Sequence, residues 1–205
     1  MKLIEVLKSL CALFFRPKKA TGTPAPAEPK PLRRLAWGQK VSAAFRDRLF
    51  EICQILGVEP DYLMACMAFE SAETFRPDIR NAAGSGATGL IQFMPSTARG
   101  LGTTTDALAA MTAEQQLEYV LAYFLPYKGR LHTLADVYMA ILWPAGIGKP
   151  DDWTLWDQAS RPTTYRQNAG LDANKDGRIT KAEAAAKVQA KLERGRQAQF
   201  LWEGV

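Results

Sequence analysis

Two clusters in the 205-residue chain combine side-chain types and spacing that could do chemistry. The first is Phe69-Glu70-Ser71-Ala72-Glu73, followed after a short loop by Gly84-Ser-Gly-Ala-Thr-Gly-Leu-Ile-Gln-Phe-Met-Pro-Ser-Thr97. Glu70 closes a run whose preceding turns are almost wholly apolar: Tyr62, Leu63, Met64, Cys66, Met67 and Phe69. A carboxyl held there loses water, and desolvation raises its pKa toward that of a general acid at neutral pH. Alone, a Glu at a helix end reads as a solvated surface charge; the glycine-rich stretch shifts the balance. Gly84, Gly86 and Gly89 let backbone approach a ligand or a neighbouring element closely, and Gln92 places an amide in an apolar run. The stretch lacks the Lys-Ser/Thr ending of a phosphate loop, which argues against nucleotide binding.

The second cluster is Asp172-Ala-Asn174-Lys-Asp176-Gly177-Arg178-Ile-Thr180-Lys-Ala-Glu183, in register with Asp-x-Asn-x-Asp-Gly-x5-Glu, the EF-hand calcium loop. Oxygens at alternate positions let a tight turn wrap a hard cation. Asp172, Asn174 and Asp176 supply side chains, Arg178 its carbonyl, Thr180 a direct or water-mediated contact, and bidentate Glu183 closes the shell. The competing reading is an Asx-rich turn that caps the last helix. The loop occurs once, and Thr163 to Leu171 do not form a full entering helix, so one structural calcium is expected rather than a sensor. Catalysis is expected to need no metal.

The elements that must position these residues read as short helices. Ser42 can cap a helix to Leu56 that Gly57 stops, and Pro60 suits the first turn of the next. Thr112 with Gln115 forms a capping box ahead of a periodic segment through Tyr127. Thr133 with Asp136 resembles another, leading into Leu134 to Trp143, and Lys181 to Arg194 is a strong helix former. No alternating strand exceeds four residues and no internal repeat is present, so the expected fold class is mostly α. Cys11, Cys53 and Cys66 are too few for a disulfide framework. Cys53 and Cys66 read as buried thiols, with a bridge between them left open.

Charge divides the chain. The 26 Lys plus Arg against 21 Asp plus Glu give +5, a value that invites a nucleic-acid reading. Residues 1–34 hold eight of the basic and two of the acidic side chains, leaving 18 and 19 for the rest. The domain is therefore close to neutral, and no nucleic-acid partner is expected. Residues 2–16 read as a basic amphipathic helix suited to an anionic membrane surface or a partner protein, with a signal peptide or an unordered leader as alternatives. Residues 17–34 hold five of the twelve prolines and read as an extended linker.

Glu70-Ser71, then Gly86-Ala-Thr-Gly-Leu-Ile-Gln92 with Met94-Pro95 and Thr97, resemble the paired motifs of the soluble-lytic-transglycosylase family, which includes phage endolysins and virion lysins. The resemblance covers about residues 42–170. It implies a lysozyme-like helical domain, acting in the bacterial periplasm or wall, that cleaves the MurNAc–GlcNAc β-1,4 bond of peptidoglycan. Glu70 matches the family's acid/base, Ser71 and Gln92 positions near the cleft floor, and Gly86 and Gly89 the close-approach loop. Tyr138 takes the Tyr of a third motif, Ala-Tyr-Asn-Ala-Gly, although Met139 replaces its Asn, and Tyr165 resembles a later Tyr element bordering the site. Trp143, Trp153 and Trp156 suit either a sugar cleft or the core, and His132 reads as structural. Hydrolysis would require a second carboxylate, for which Glu73 and Asp78 are candidates. A muramidase, or a non-catalytic wall-binding or virion-assembly module on the same fold, are the competing readings.

The expected organisation is a basic arm and linker over 1–34, a lysozyme-like domain over 35–170, and an EF-hand-like loop with a C-terminal helix over 171–205, as a monomer. The short chain and the lack of a clear secretory leader favour an endolysin or virion lysin.

Overall fold

The computed structural model describes residues 32–205. The amphipathic helix expected over 2–16, and the linker up to residue 31, lie outside these residues. In chain order the elements are β1 (Arg33–Leu35), α1 (Ala43–Leu56), α2 (Pro60–Glu70), α3 (Pro95–Gly100), α4 (Thr105–Ala109), α5 (Ala113–Phe124), α6 (Leu134–Leu142), β2 (Thr154–Asp157), α7 (Pro162–Asn168), β3 (Arg178–Thr180), α8 (Lys181–Gly195) and β4 (Trp202–Gly204). The fold is mostly helical, as the capping pattern predicts.

Four of the longer helices start where a side-chain cap stands, and α2 starts on Pro60 instead. The Ser42 side chain accepts from the Phe45 N–H, Thr112 and Gln115 satisfy each other's backbone donors, and Thr180 and Glu183 do the same for α8. Thr133 caps α6 by accepting from the Asp136 N–H. In α2, Leu63 to Ala68 are all buried. A helix that is apolar all round belongs in the middle of a domain, and α2 packs against α1, α6 and α8. Each fully buried Leu or Met in such a helix contributes about 1.5–3 kcal/mol.

One core joins α1 (Leu49, Ile52), α2 (Leu63, Met67), α5 (Leu117, Phe124), α6 (Val137, Met139) and α8 (Val188, Leu192). Residues 171–205 therefore share the core of the helical domain. Arg33 and Arg34, expected to be linker, pair as β1 with β4, so the two ends of the described chain meet. Buried Trp37 seals this closure: its N–H donates to the Gly195 carbonyl at 3.0 Å and its indole N–H to the Lys191 carbonyl at 2.9 Å.

At the other end of α8, Lys181 donates to Asp136 of α6 at 2.6 Å and to the Lys149 carbonyl at 2.8 Å. Both charged side chains are almost fully buried. Cys53 and Cys66 are free and buried, with no bridge between them. Burial pushes the Cys53 thiol up to about 12 and that of Cys66 well above its ordinary value. Among the described residues no single helix is long and apolar enough to cross a membrane.

Candidate active site

Glu70 is the last residue of α2, at the point where the central helix leaves the core. The helix closes with two crossed bonds, from the Ala72 N–H to the Phe69 carbonyl (3.3 Å) and from the Glu73 N–H to the Ala68 carbonyl (2.7 Å). That arrangement places the residue after the C-cap in the left-handed region, usually as glycine. Here it is Ala72 (φ 51°), and Glu73 (63°) and Phe75 (52°) are left-handed as well. Such residues cost on the order of 1–3 kcal/mol each and persist only where surroundings over-determine them.

Those surroundings are specific. The Ser71 hydroxyl accepts from the Phe75 N–H at 3.0 Å, and its carbonyl accepts from the Thr74 hydroxyl at 2.6 Å. Glu73 accepts from Lys191 and, at 3.1 Å, from Arg194 Nε. Partial burial opposes ionisation of Glu73, but these two cations hold its carboxyl below the ordinary value. Asp78 is likewise engaged, with Arg76 at 2.6 and 2.9 Å.

Glu70 has no such help. Its side chain reaches solvent only in part, and loss of water alone pushes its pKa up to about 7. Its charge bears on Cys66, Tyr123 and Tyr138, all of which it makes harder to ionise. Tyr138 is buried and packs edge-on to Phe69, ring centroids 5.6 Å apart. The Tyr123 hydroxyl donates to the Ala140 carbonyl at 2.7 Å, and its ring meets Phe93 edge-on at 6.1 Å. This aromatic wall links Glu70 to the glycine-rich stretch.

The stretch is folded on itself: Thr88 bridges to both Arg80 and Phe93. Gly89 has φ +84°, and a Cβ there would lie 2.3 Å from Gln116 Oε1. Gln116, fully buried on α5, accepts from the Leu90 N–H at 2.7 Å and donates to the carbonyls of Leu108 (3.0 Å) and Pro77 (3.1 Å). It rivets three segments beneath the stretch, and sequence reasoning missed it. Its signal was an amide on the apolar face of a helix. Gln92, left-handed at φ 51°, donates to the carbonyls of Gly89 (3.2 Å) and Ile79 (3.3 Å). Gly86 lies against Pro95, whose Cγ would be 3.2 Å from an added Cβ. Ser71, Gly86, Gly89 and Gln92 therefore hold the shape of this region.

Other candidates separate from it. The Tyr165 hydroxyl donates to Asp172 at 2.7 Å, which places it with the second cluster. Met139 is buried, and a Cβ on Gly146 would lie 2.8 Å from its sulfur; the position that carries Asn in the third motif is a core position here. Trp156 is buried beneath Trp143, while Trp143 and Trp153 are partly exposed under Arg161 and Lys149. His132 lines a cavity with Phe50, Cys53 and Tyr62, near the start of α2. Tyr62 lies eight helical residues, roughly 12 Å, before Glu70, so the cavity sits at the opposite end of α2.

In the second cluster the oxygens are largely engaged. One Asp172 oxygen accepts from Tyr165 and, at 3.0 Å, from the Gly177 N–H. Asn174 accepts from the Asp176 N–H (2.9 Å), Asp176 from the Arg178 N–H (2.8 Å), and Glu183 from the Thr180 N–H and hydroxyl (2.9 and 2.8 Å). Gly177 turns the loop at φ +82°, and β3 leaves it to pair with β2. Among the described residues no three His, Cys, Asp or Glu side chains converge as a metal-binding group. The second Asp172 oxygen, Oδ1, is nevertheless buried without any partner. A buried carboxylate oxygen left unpartnered is costly, and among these all-oxygen donors it fits a hard cation.

Residues 49–123 match the family model of the transglycosylase SLT domain. The matched segment runs from within α1 to near the end of α5, and so contains Glu70, the glycine-rich stretch and Gln116. The match supports an SLT-type, lysozyme-like domain and, with it, peptidoglycan cleavage of the lytic-transglycosylase kind as the general class of activity, exerted at the cell wall. No curated protein matches the chain.

Proposed function

We propose that this protein is a lytic transglycosylase that cleaves the MurNAc–GlcNAc β-1,4 bond, with Glu70 as its acid/base. The observation that carries the reading is a carboxyl at the end of the apolar α2 that is only partly exposed and has no ionic partner among the described residues, whereas Glu73 and Asp78 are both ion-paired. Protonated Glu70 gives its proton to the glycosidic oxygen as the bond to C1 breaks. The resulting carboxylate then takes the proton of the sugar's own 6-hydroxyl, whose oxygen closes on C1. This 1,6-anhydro product needs neither water nor a second free carboxylate, whereas hydrolysis ordinarily requires both. Tyr138, behind Glu70, and the glycine-rich stretch would shape the cleft.

Mass spectrometry of digested peptidoglycan tests this. Anhydro ends are expected; reducing ends would assign a muramidase, and wall binding without release of muropeptides would leave only a non-catalytic module.

Asp172, Asn174, Asp176, Thr180 and Glu183, with the Arg178 carbonyl, would hold one calcium ion, a structural charge at the start of α8 with no part in bond cleavage. The unpartnered Asp172 oxygen supports this assignment. The net charge of +6 over residues 1–34 suits an anionic envelope surface.

A further inference from the structure

We propose that Glu73 is a positioning residue for Glu70: its bonds to Lys191 and Arg194 hold the left-handed turn behind the acid and thereby set how deeply the Glu70 carboxyl sits against Tyr123 and Tyr138. The proposal rests on the acid/base role given to Glu70. Three residues of the turn, Ala72, Glu73 and Phe75, lie in a conformation that side chains other than glycine disfavour, so something must hold them. Ser71 and Thr74 do so from within the turn. From outside, buried Phe75 packs against Trp37 and Phe45, and Glu73 makes the polar anchor, reaching α8 across 118 residues of sequence.

The anchor is firm because Lys191 is itself fixed. Its carbonyl accepts from the buried Trp37 indole, and α8 packs along α2. The groups that feel the Glu70 charge are Cys66 on α2, Tyr123 on α5 and Tyr138 on α6, while Glu73 is bonded to Lys191 and Arg194 on α8. Glu70 is thus kept from cations while its neighbour three residues on absorbs them. Releasing Glu73 would let the turn relax and admit water to Glu70.

The test compares wild type with Glu73→Gln, Glu73→Asp and the double variant Ala72→Gly/Glu73→Gln, following the Glu70 carboxyl by NMR titration of carbon-13-labelled glutamate, with Glu70→Gln for assignment. Glu73→Gln should move the Glu70 titration about one unit toward acid. On peptidoglycan it should lower kcat about tenfold, with KM within about twofold. Asp should restore part of both, and glycine at 72, which adopts the turn without strain, should restore part of both as well. An unchanged Glu70 titration overturns the proposal, even if the melting temperature falls. Should Glu73→Gln fail to fold, Arg194→Gln, which removes the more exposed partner, is judged by the same titration. Failure of wild type to release muropeptides would sink the enzymatic reading, whereas the NMR shift judges the positioning role independently of turnover.

Discussion

The carboxyl of Glu70 and the carboxylates of the Asp172–Glu183 loop are built by opposite means. Glu70 ends the apolar α2, is only partly exposed and receives no compensating charge, so its pKa is pushed up to about 7. In the loop, Asp172 loses some water too, yet its bonds from Tyr165 and Gly177 hold its pKa below the ordinary value. Similar acids on one chain thus diverge according to whether donors are withheld or supplied. A proton-transfer group needs the first treatment, because it must exist in both states near the working pH. A structural loop needs the second, since its charge should never change.

The largest consequence is at Glu70. Glu70→Gln removes the transferable proton and should reduce muropeptide release by about 10²–10⁴-fold while leaving wall binding intact. The same variant should be more stable than wild type above neutrality. An acid whose folded pKa is raised from 4.5 to about 7 contributes its full stability below about pH 4.5. That contribution is lost as pH rises through 7, when the buried carboxylate must carry charge. Melting curves should therefore show a gain for Gln of on the order of 1–3 kcal/mol at pH 8 and little at pH 4. A loss of stability at pH 8 would mean that Glu70 is partnered after all.

The buried Lys181–Asp136 pair tests the junction between the two regions, since it ties the first residue of α8 to α6. Asp136→Ala strands the ammonium and should cost about 3–5 kcal/mol by denaturant unfolding. Adding Lys181→Met should recover part of that loss; a purely additive result would show that the pair does not act as a unit.

How legible each region was follows from the range of its interactions. Ser42, Thr112 and Thr133 announced their helices because a cap is a contact within four residues; Thr180 was read only as a calcium contact, and it also caps α8 together with Glu183. The short helices α3, α4 and α7 went unread, although Thr104 caps α4 by accepting from the Ala107 N–H at 3.1 Å and α3 and α7 begin on Pro95 and Pro162; segments this short stand only through tertiary packing. At the site, Glu70 and the glycines stood out by type and spacing. Gln116 and the Lys191–Glu73 contact did not, because each joins segments far apart in sequence. Tyr165 was read toward the sugar cleft, and its hydroxyl is found on Asp172; a hydroxyl's partner is set by the path of the chain, which one sequence does not display.

On the loop side, calcium is expected to stabilise the protein by about 2.7 kcal/mol at a hundredfold excess over Kd. For a domain of this size that is a rise in Tm of roughly 5–10 °C. Asp172→Ala should abolish the rise, and no gain in wild type would sink the calcium assignment.

The smallest expected effect decides on which side of the comparison Tyr165 falls. Tyr165→Phe keeps the ring and removes only the hydroxyl that donates to Asp172. If that hydroxyl serves the loop, the variant loses about 1 kcal/mol, the ordinary worth of one such bond, and the calcium-dependent rise in Tm shrinks. Turnover on peptidoglycan then stays within twofold of wild type, about 0.4 kcal/mol in the barrier. If it serves the sugar, the pattern inverts: kcat/KM falls by an order of magnitude or more while the calcium response is untouched. The bond to Asp172 predicts the first pattern, with Tyr165 acting as part of the scaffold that starts α8, the helix whose far end grips Glu73.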